Sequence, residues 1–305
     1  MKFGIAVGVG APCETTIDGL ATRAQQLEAA GIDGMWMGMA WGMDPTVALP
    51  VAGRSTTTLE FGSAIVPTLP RHPVVMAQQA RTAQAALGGR FTLGIGVSHE
   101  TMMSDSLGLD YRGLVRHLRE YLTVLDSLLA GEPARHQGID YRVDVEISVD
   151  SPPVPVLVAA LGPAMLSVTG ELADGTITAW VGVRTIETHI VPTLHAAASA
   201  AGRTTPRVVT ILPIALTDDP DAAREALARM WSWYGTLPAF QAMFDREGVG
   251  GPADVALIGD EATLDAGLAR LESAGVTDYV ANLIHADPQI EARTFDYLVG
   301  RARHP

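Results

Sequence analysis

Short apolar runs alternate with amphipathic stretches along almost the whole chain, and each switch of period from two to 3.6 marks a change from strand to helix. Residues 3–9 read as a strand, 15–30 as a helix stopped by Gly31, and 34–39 as a second strand with a short helix from Asp44. Residues 59–66 form the third strand, 72–87 the next helix with Gly88 and Gly89 as its stop, and 91–96 the fourth strand. Residues 107–129 carry a helical pattern. The polar segment 132–155 reads as a hairpin rather than as a further repeat. The alternation then resumes, with strands at 156–159, 176–181, 208–216 and 278–284, and helices from Pro163, from Thr185, over 221–247 and over 261–274.

Eight nearly continuous apolar strands, each followed by a helix, describe a parallel sheet covered on both faces. The expected fold is a (β/α)8 TIM barrel with an insertion after the fourth helix, the hairpin-like segment 132–155. A doubly wound open sheet is the competitor. Its dinucleotide fingerprint would follow the first strand, where the chain instead has Gly8-Val9-Gly10-Ala11-Pro12. At 305 residues, the whole chain 1–305 reads as a single barrel domain.

In a barrel the chemistry sits at the C-terminal ends of the strands, so those positions can be inspected in turn. Small residues interrupt the third run at Gly62, Ser63 and Ala64, which suggests a bulge or the close approach of another backbone or a ligand. After strand two come Met39, Ala40 and Trp41. Ser98, His99 and Glu100 follow strand four, Ala160 to Pro163 follow strand five, and Trp180 ends strand six. Gly162 permits backbone approach, and Pro163 is a good first helical residue, so the helix beginning there aims free N–H groups at an anion. Apolar walls, tryptophans and free amides suit a flat aromatic cofactor carrying a phosphate.

Composition removes other chemistries. The formal charge of −13, without a basic cluster, argues against nucleic acid or an anionic membrane as partner. No apolar run reaches membrane-spanning length and the N-terminus lacks a signal-peptide pattern, so a cytoplasmic location is expected. The sole cysteine, Cys13, forms no internal disulfide and has no recognisable nucleophile context. Lys2 is the only lysine and precedes the first strand, at the wrong end for Schiff-base catalysis. No His-x-His pair or set of strand-end carboxylates supports a metal, so none is expected.

The motifs GSAIVPTLPRHP, GGRFTLGIGVSH, ALGPAMLSVTGELADG and GVTDYVA, in this order, resemble the luciferase-like monooxygenase superfamily in its branch dependent on the deazaflavin coenzyme F420. The resemblance implies hydride transfer between F420 and a small organic substrate, with a homodimer as the usual assembly. It also implies a strand-three bulge with a non-prolyl cis peptide between Ala64 and Ile65 behind the cofactor ring, with Thr68 and His72 near the rim. Ser98, His99 and the loop Ala160, Leu161, Gly162, Pro163, Ala164 and Met165 would surround the cofactor's ribityl chain and phosphate. Met39, Trp41 and Trp180 would border the substrate, and His99 is the candidate proton donor.

Two departures bear on function. Met39-Ala40 stands where several relatives carry a polar pair, and the lysines that would hold a sugar phosphate cannot exist here, so an apolar, uncharged substrate is expected. An FMN-dependent monooxygenase and a non-catalytic cofactor-binding relative remain as alternatives. His117, His189 and His195 read as surface or packing residues, and Trp231 and Trp233 as core or interface.

Overall fold

The computed structural model describes residues 1–8, 16–284 and 287–303. The Gly10–Pro12 turn and Cys13, considered above, lie outside the described residues. In chain order the elements are β1 (Lys2–Val7), α1 (Ile17–Ala30), β2 (Gly34–Met37), α2 (Pro45–Gly53), β3 (Glu60–Ser63), β4 (Val66–Pro67) and α3 (Pro73–Ala86). Then follow β5 (Phe91–Gly96), α4 (Leu114–Leu129), β6 (Ala134–Gln137), β7 (Arg142–Val145), β8 (Val156–Val158), α5 (Pro163–Leu172), β9 (Gly175–Ala179), α6 (Val183–Thr185) and α7 (Val191–Ala200). The chain ends with β10 (Arg207–Leu216), α8 (Pro220–Trp231), α9 (Pro238–Glu247), β11 (Leu257–Gly259), α10 (Glu261–Ser273), β12 (Asp278–Leu283) and α11 (Pro288–Arg303).

All pairings in the large sheet are parallel, in the order β10-β12-β1-β2-β3-β5-β8-β9, and β9 pairs back onto β10. This closes a (β/α)8 barrel. The short β11 pairs on the far side of β10 and lies off the closed ring. The sequence pattern missed both β11 and α11.

Helix ends follow local chemistry. The Thr16 side chain accepts the Gly19 N–H at 3.1 Å to start α1, and Gly31, at φ +85°, closes it. His72, expected near the rim, instead caps α3 by accepting the Val74 N–H on Nδ1 at 3.3 Å.

The barrel interior is filled in layers. Arg207, Glu60, Asp278 and Thr92 close the N-terminal end. Above them Trp36, Leu157, Ile177, Val209 and Val280 form a buried apolar cluster, against which Ala6, Ala64, Ile65, Ala159 and Ile211 pack. Trp36 needs room. A Cβ on Gly62 would lie 2.2 Å from its ring and one on Gly4 2.8 Å, so these strand glycines are set by the indole.

The three small residues of strand three therefore have three separate causes. Gly62 admits Trp36, whereas Ser63 bridges strands, its Oγ donating to the Gly94 carbonyl and accepting the Gly94 N–H, both at 2.8 Å. Ala64 opens the bulge. Gly62 pairs with Thr92 and Val66 with Ile95, so four steps on one strand oppose three on its neighbour. The Ala64–Ile65 peptide within this bulge is cis.

The segment after α4 forms the antiparallel hairpin β6–β7. Its turn is held by Glu120 of α4, which accepts the N–H groups of Ile139, Asp140 and Tyr141 at 2.9, 2.9 and 3.0 Å. Burial alone would raise the Glu120 pKa, but these backbone donors hold it at about 2. Two expected helices are shorter than their patterns. The region 107–129 is helical only from Leu114, after a π-helical turn at Thr101–Ser106, and 221–247 breaks at a 3-10 turn, Ser232–Thr236.

Candidate active site

A cavity of about 540 Å3 opens at the C-terminal end of the strands. Its floor is the strand-three bulge, where Ala64 and Ile65 face the interior and the Ile65 carbonyl accepts the Met39 N–H at 3.2 Å. Val97, Ser98 and His99 form one wall after β5. Ala159 to Gly162 and Met165, after the neighbouring strand β8, continue that wall, and Trp233, Tyr234 and Phe240, brought in by the break between α8 and α9, close the mouth.

Among the described residues that line the cavity, none is Asp, Glu, Lys or Arg. Polar groups are few. Ser98 has φ +63°, an unusual conformation for a residue with a side chain, and its carbonyl accepts the Tyr111 hydroxyl at 2.6 Å. Burial, with the nearby Glu100 charge, pushes the Tyr111 pKa up to about 12, so the phenol stays a donor throughout the neutral range.

His99 is enclosed by aromatics: its ring centroid lies 5.1 Å from Trp233, 6.1 Å from Tyr234 and 5.8 Å from Phe240. Burial moves its pKa below the ordinary histidine value. The imidazole is therefore mainly neutral at pH 7.

At the other end, α5 starts without a side-chain cap, with Gly162 at the cap position and Pro163 in the first turn. The first-turn amides of such a helix have no intrahelical acceptor, and its dipole favours an anion. A Cβ built on Gly162 meets nothing within 4 Å, so the space in front of the turn is open. His189 holds this loop from behind, its Nε2 lying 2.8 Å from the Leu161 carbonyl oxygen. These features match the needs of a flat cofactor with a phosphate: a floor, an apolar wall and an anion-ready turn.

Several sequence assignments move. Pro163 and Ala164 shape the start of α5 but do not line the cavity, whereas Gly162 and Met165 do. Trp41 is 66% exposed and lies outside the lining. Trp180 is buried behind Tyr234, with ring centroids 5.0 Å apart, and buttresses that residue instead of bordering a substrate. Trp233, expected in core or interface, lines the mouth. His117 is neither surface nor plain packing: its Nε2 is 2.9 Å from Thr68 Oγ1 and its Nδ1 3.3 Å from the Tyr141 hydroxyl. Thr68, expected near the rim, is fully buried in that chain. The sequence reading missed Tyr111, Tyr234 and Phe240. The run Trp231-Ser232-Trp233-Tyr234-Gly235, aromatic and ended by glycine, was the available sign that the helix breaks there.

The profile of the luciferase-like monooxygenase family matches residues 1–278, and the chain belongs to that family. It is 29% identical over 262 residues to the F420-dependent glucose-6-phosphate dehydrogenase of Kineococcus radiotolerans, covering 81% of this chain and 76% of that protein. It is 31% identical over 228 residues to the F420-dependent hydroxymycolic acid dehydrogenase of Mycobacterium tuberculosis, covering 68% of this chain and 62% of that one. In fold it resembles the coenzyme F420-dependent tetrahydromethanopterin reductase of Methanopyrus kandleri, with a TM-score of 0.80, 21% identity and coverage of 98% and 97%. Among the described residues no helix is long and apolar enough to cross a membrane, and no cluster of side chains could hold a metal ion.

Proposed function

We propose that this protein transfers a hydride between coenzyme F420 and a small, uncharged and largely apolar organic substrate. The coarser part rests on family and relatives: the chain is an F420-dependent oxidoreductase of the luciferase-like class. The observation that carries the finer part is the cavity itself, which ends at an uncapped helix start and has no charged side chain among its described lining residues.

Gly162 and the first-turn amides of α5 would hold the phosphate, with Ala160, Leu161 and Met165 along the chain that leads to it. Ala64 and Ile65 would back the ring. Coenzyme F420 supplies a flat ring that gives or accepts a hydride. Trp233, Tyr234 and Phe240 exclude water from the mouth and leave apolar surface for the substrate.

His99 is the proposed proton carrier. Its neutral ring can accept the hydroxyl proton of an alcohol as a hydride leaves the adjacent carbon, and can return that proton when a ketone is reduced. A sugar phosphate would find no lysine here: Lys2 stands at the N-terminal end, 3.3 Å from Glu60.

A homodimer is also proposed. It would bury the flank where Trp41, Val47, Val51 and Val75 are exposed on α2, α3 and the segment leading into α2. The substrate reading is tested by anaerobic assay with F420 of apolar secondary alcohols against glucose 6-phosphate. Turnover of the alcohols alone is expected. Efficient turnover of glucose 6-phosphate would overturn it.

A further inference from the structure

Strand β5 ends at Gly96, and the chain turns at Ser98, whose φ of +63° lies in the left-handed region. Among the described residues Trp180 is the one other non-glycine residue with a positive φ. A residue with a Cβ adopts this conformation rarely, and keeps it where its surroundings hold it there. His99 follows, and its carbonyl accepts the Met102 and Met103 N–H groups at 3.0 and 2.9 Å, which opens the π-helical turn Thr101–Ser106. His99 is thus the joint between a left-handed residue and a helical turn.

Among the described residues no group hydrogen-bonds the imidazole, which meets only the rings of Trp233, Tyr234 and Phe240. Its direction therefore depends on the backbone that carries it. The Tyr111 hydroxyl donates to the Ser98 carbonyl at 2.6 Å. That carbonyl shares one planar peptide with the His99 N–H, so fixing its oxygen fixes the plane from which the His99 Cα projects. Tyr111 lies in the segment before α4, lines the cavity, and keeps its phenol protonated throughout the neutral range, so the bond persists at working pH.

We propose that Tyr111 is a positioning residue: by holding the Ser98 carbonyl, its hydroxyl locks the Ser98–His99 peptide plane and aims the His99 imidazole at the substrate hydroxyl. The inference rests on the F420 reading and on His99 as the proton carrier. Without the bond the plane is free to turn, Ser98 can relax, and the imidazole can leave its aromatic enclosure. Two consequences follow that a bond serving only stability would not have. Proton transfer slows while cofactor and substrate still bind, and the His99 pKa rises, because burial is what lowers it. The ionisable side chains around this loop are Glu100, Tyr111 and Tyr234. Glu100 is exposed, and burial keeps both phenols protonated at neutral pH.

The test is Tyr111→Phe, which keeps the ring in the cavity wall and removes only the hydroxyl, made in the wild-type protein and in His99→Gln. Steady-state oxidation of cyclohexanol with F420 gives kcat and KM, fluorescence titration gives the F420 Kd, and NMR of the ligand-free protein follows the His99 ring through its titration, assigned by its absence in His99→Gln. In the wild-type background kcat should fall about three- to tenfold, with Kd and KM within about twofold, and the His99 midpoint should move up towards the ordinary histidine value. In His99→Gln the same change should cost less than about twofold in kcat, because a residue acting through His99 has nothing left to aim. An unmoved His99 midpoint overturns the proposal, whether Tm falls, which would mark a bond for stability alone, or the F420 Kd rises, which would give the hydroxyl to the ligand. So does a kcat that falls equally in both backgrounds, or stays unchanged while His99→Gln is slow. Failure of the wild-type protein to bind F420, or full activity of His99→Gln, would instead defeat the reading of the site, and the His99 titration would then judge Tyr111 by itself.

Discussion

The His99 imidazole stands edge-on to the Trp233 indole, with ring centroids 5.1 Å apart and planes at 86°. This contact ties the loop after the fourth barrel strand to the turn between α8 and α9, and it desolvates the imidazole. A group whose pKa is lowered this way is in its basic form across the neutral range. Alcohol oxidation should therefore be flat above pH 7 and fall only on acidification, with a midpoint below the ordinary histidine value of about 6.5. His99→Gln should lower kcat by about a hundredfold and remove that acid limb. A variant with unchanged kcat and the same limb would show that His99 carries no proton.

Gly162→Asp should separate binding from folding. Gly162 has φ −77° and ψ 151°, open to any residue, and its added Cβ meets nothing. Aspartate is also a favourable helix cap, so thermal stability should hold or rise by roughly a few tenths of a kcal/mol. Its charge would occupy the anion site. Affinity for F420 should fall at least about tenfold, as read by fluorescence titration, and unchanged affinity would remove the phosphate from this turn.

The barrel was legible because its strands are short, apolar and regularly spaced, and because Gly31, Gly88 and Gly89 stop helices where the pattern does. The bulge was legible as small residues, although Gly62 owes its place to Trp36 and Ser63 to Gly94, contacts that no local pattern encodes. The mouth was not. Hydropathy treats the region 221–247 as one helix, while Trp233 and Tyr234 sit in a 3-10 turn whose direction is set by packing on His99 and Trp180. Trp41 misled for the converse reason: sequence position beside a strand end does not tell which way an indole points, and this one is at the surface.

Arg207 is expected to be the main electrostatic tie at the opposite end of the barrel. It donates to Glu60 at 2.6 and 3.0 Å and to Asp278 at 2.8 and 2.6 Å, and lies 5.5 Å from the Trp36 ring centroid. Burial would raise the Glu60 pKa, but the Arg207 hydrogen bonds and charge, with Thr92, hold it below its usual value. Stability from Glu60 is thus present above its unfolded pKa of about 4.3 and lost as pH falls through the lower folded value. Arg207→Met leaves Asp278 without its cationic partner and Glu60 with only Lys2 and Thr92, and should cost about 3–5 kcal/mol. The sign also inverts: the variant should lose stability between pH 5 and about 7, where the wild type does not, as Tm measurements at both pH values would reveal.

The central claim is that the cavity above the Ala64–Ile65 bulge is a hydride-transfer site for F420. Its most direct test is anaerobic titration with F420 and, in parallel, with FMN, followed by addition of an apolar secondary alcohol. Saturable F420 binding, weak FMN binding, and loss of the oxidised F420 absorbance on adding alcohol are predicted. Tight FMN binding with oxygen uptake coupled to product, and no affinity for F420, would contradict it.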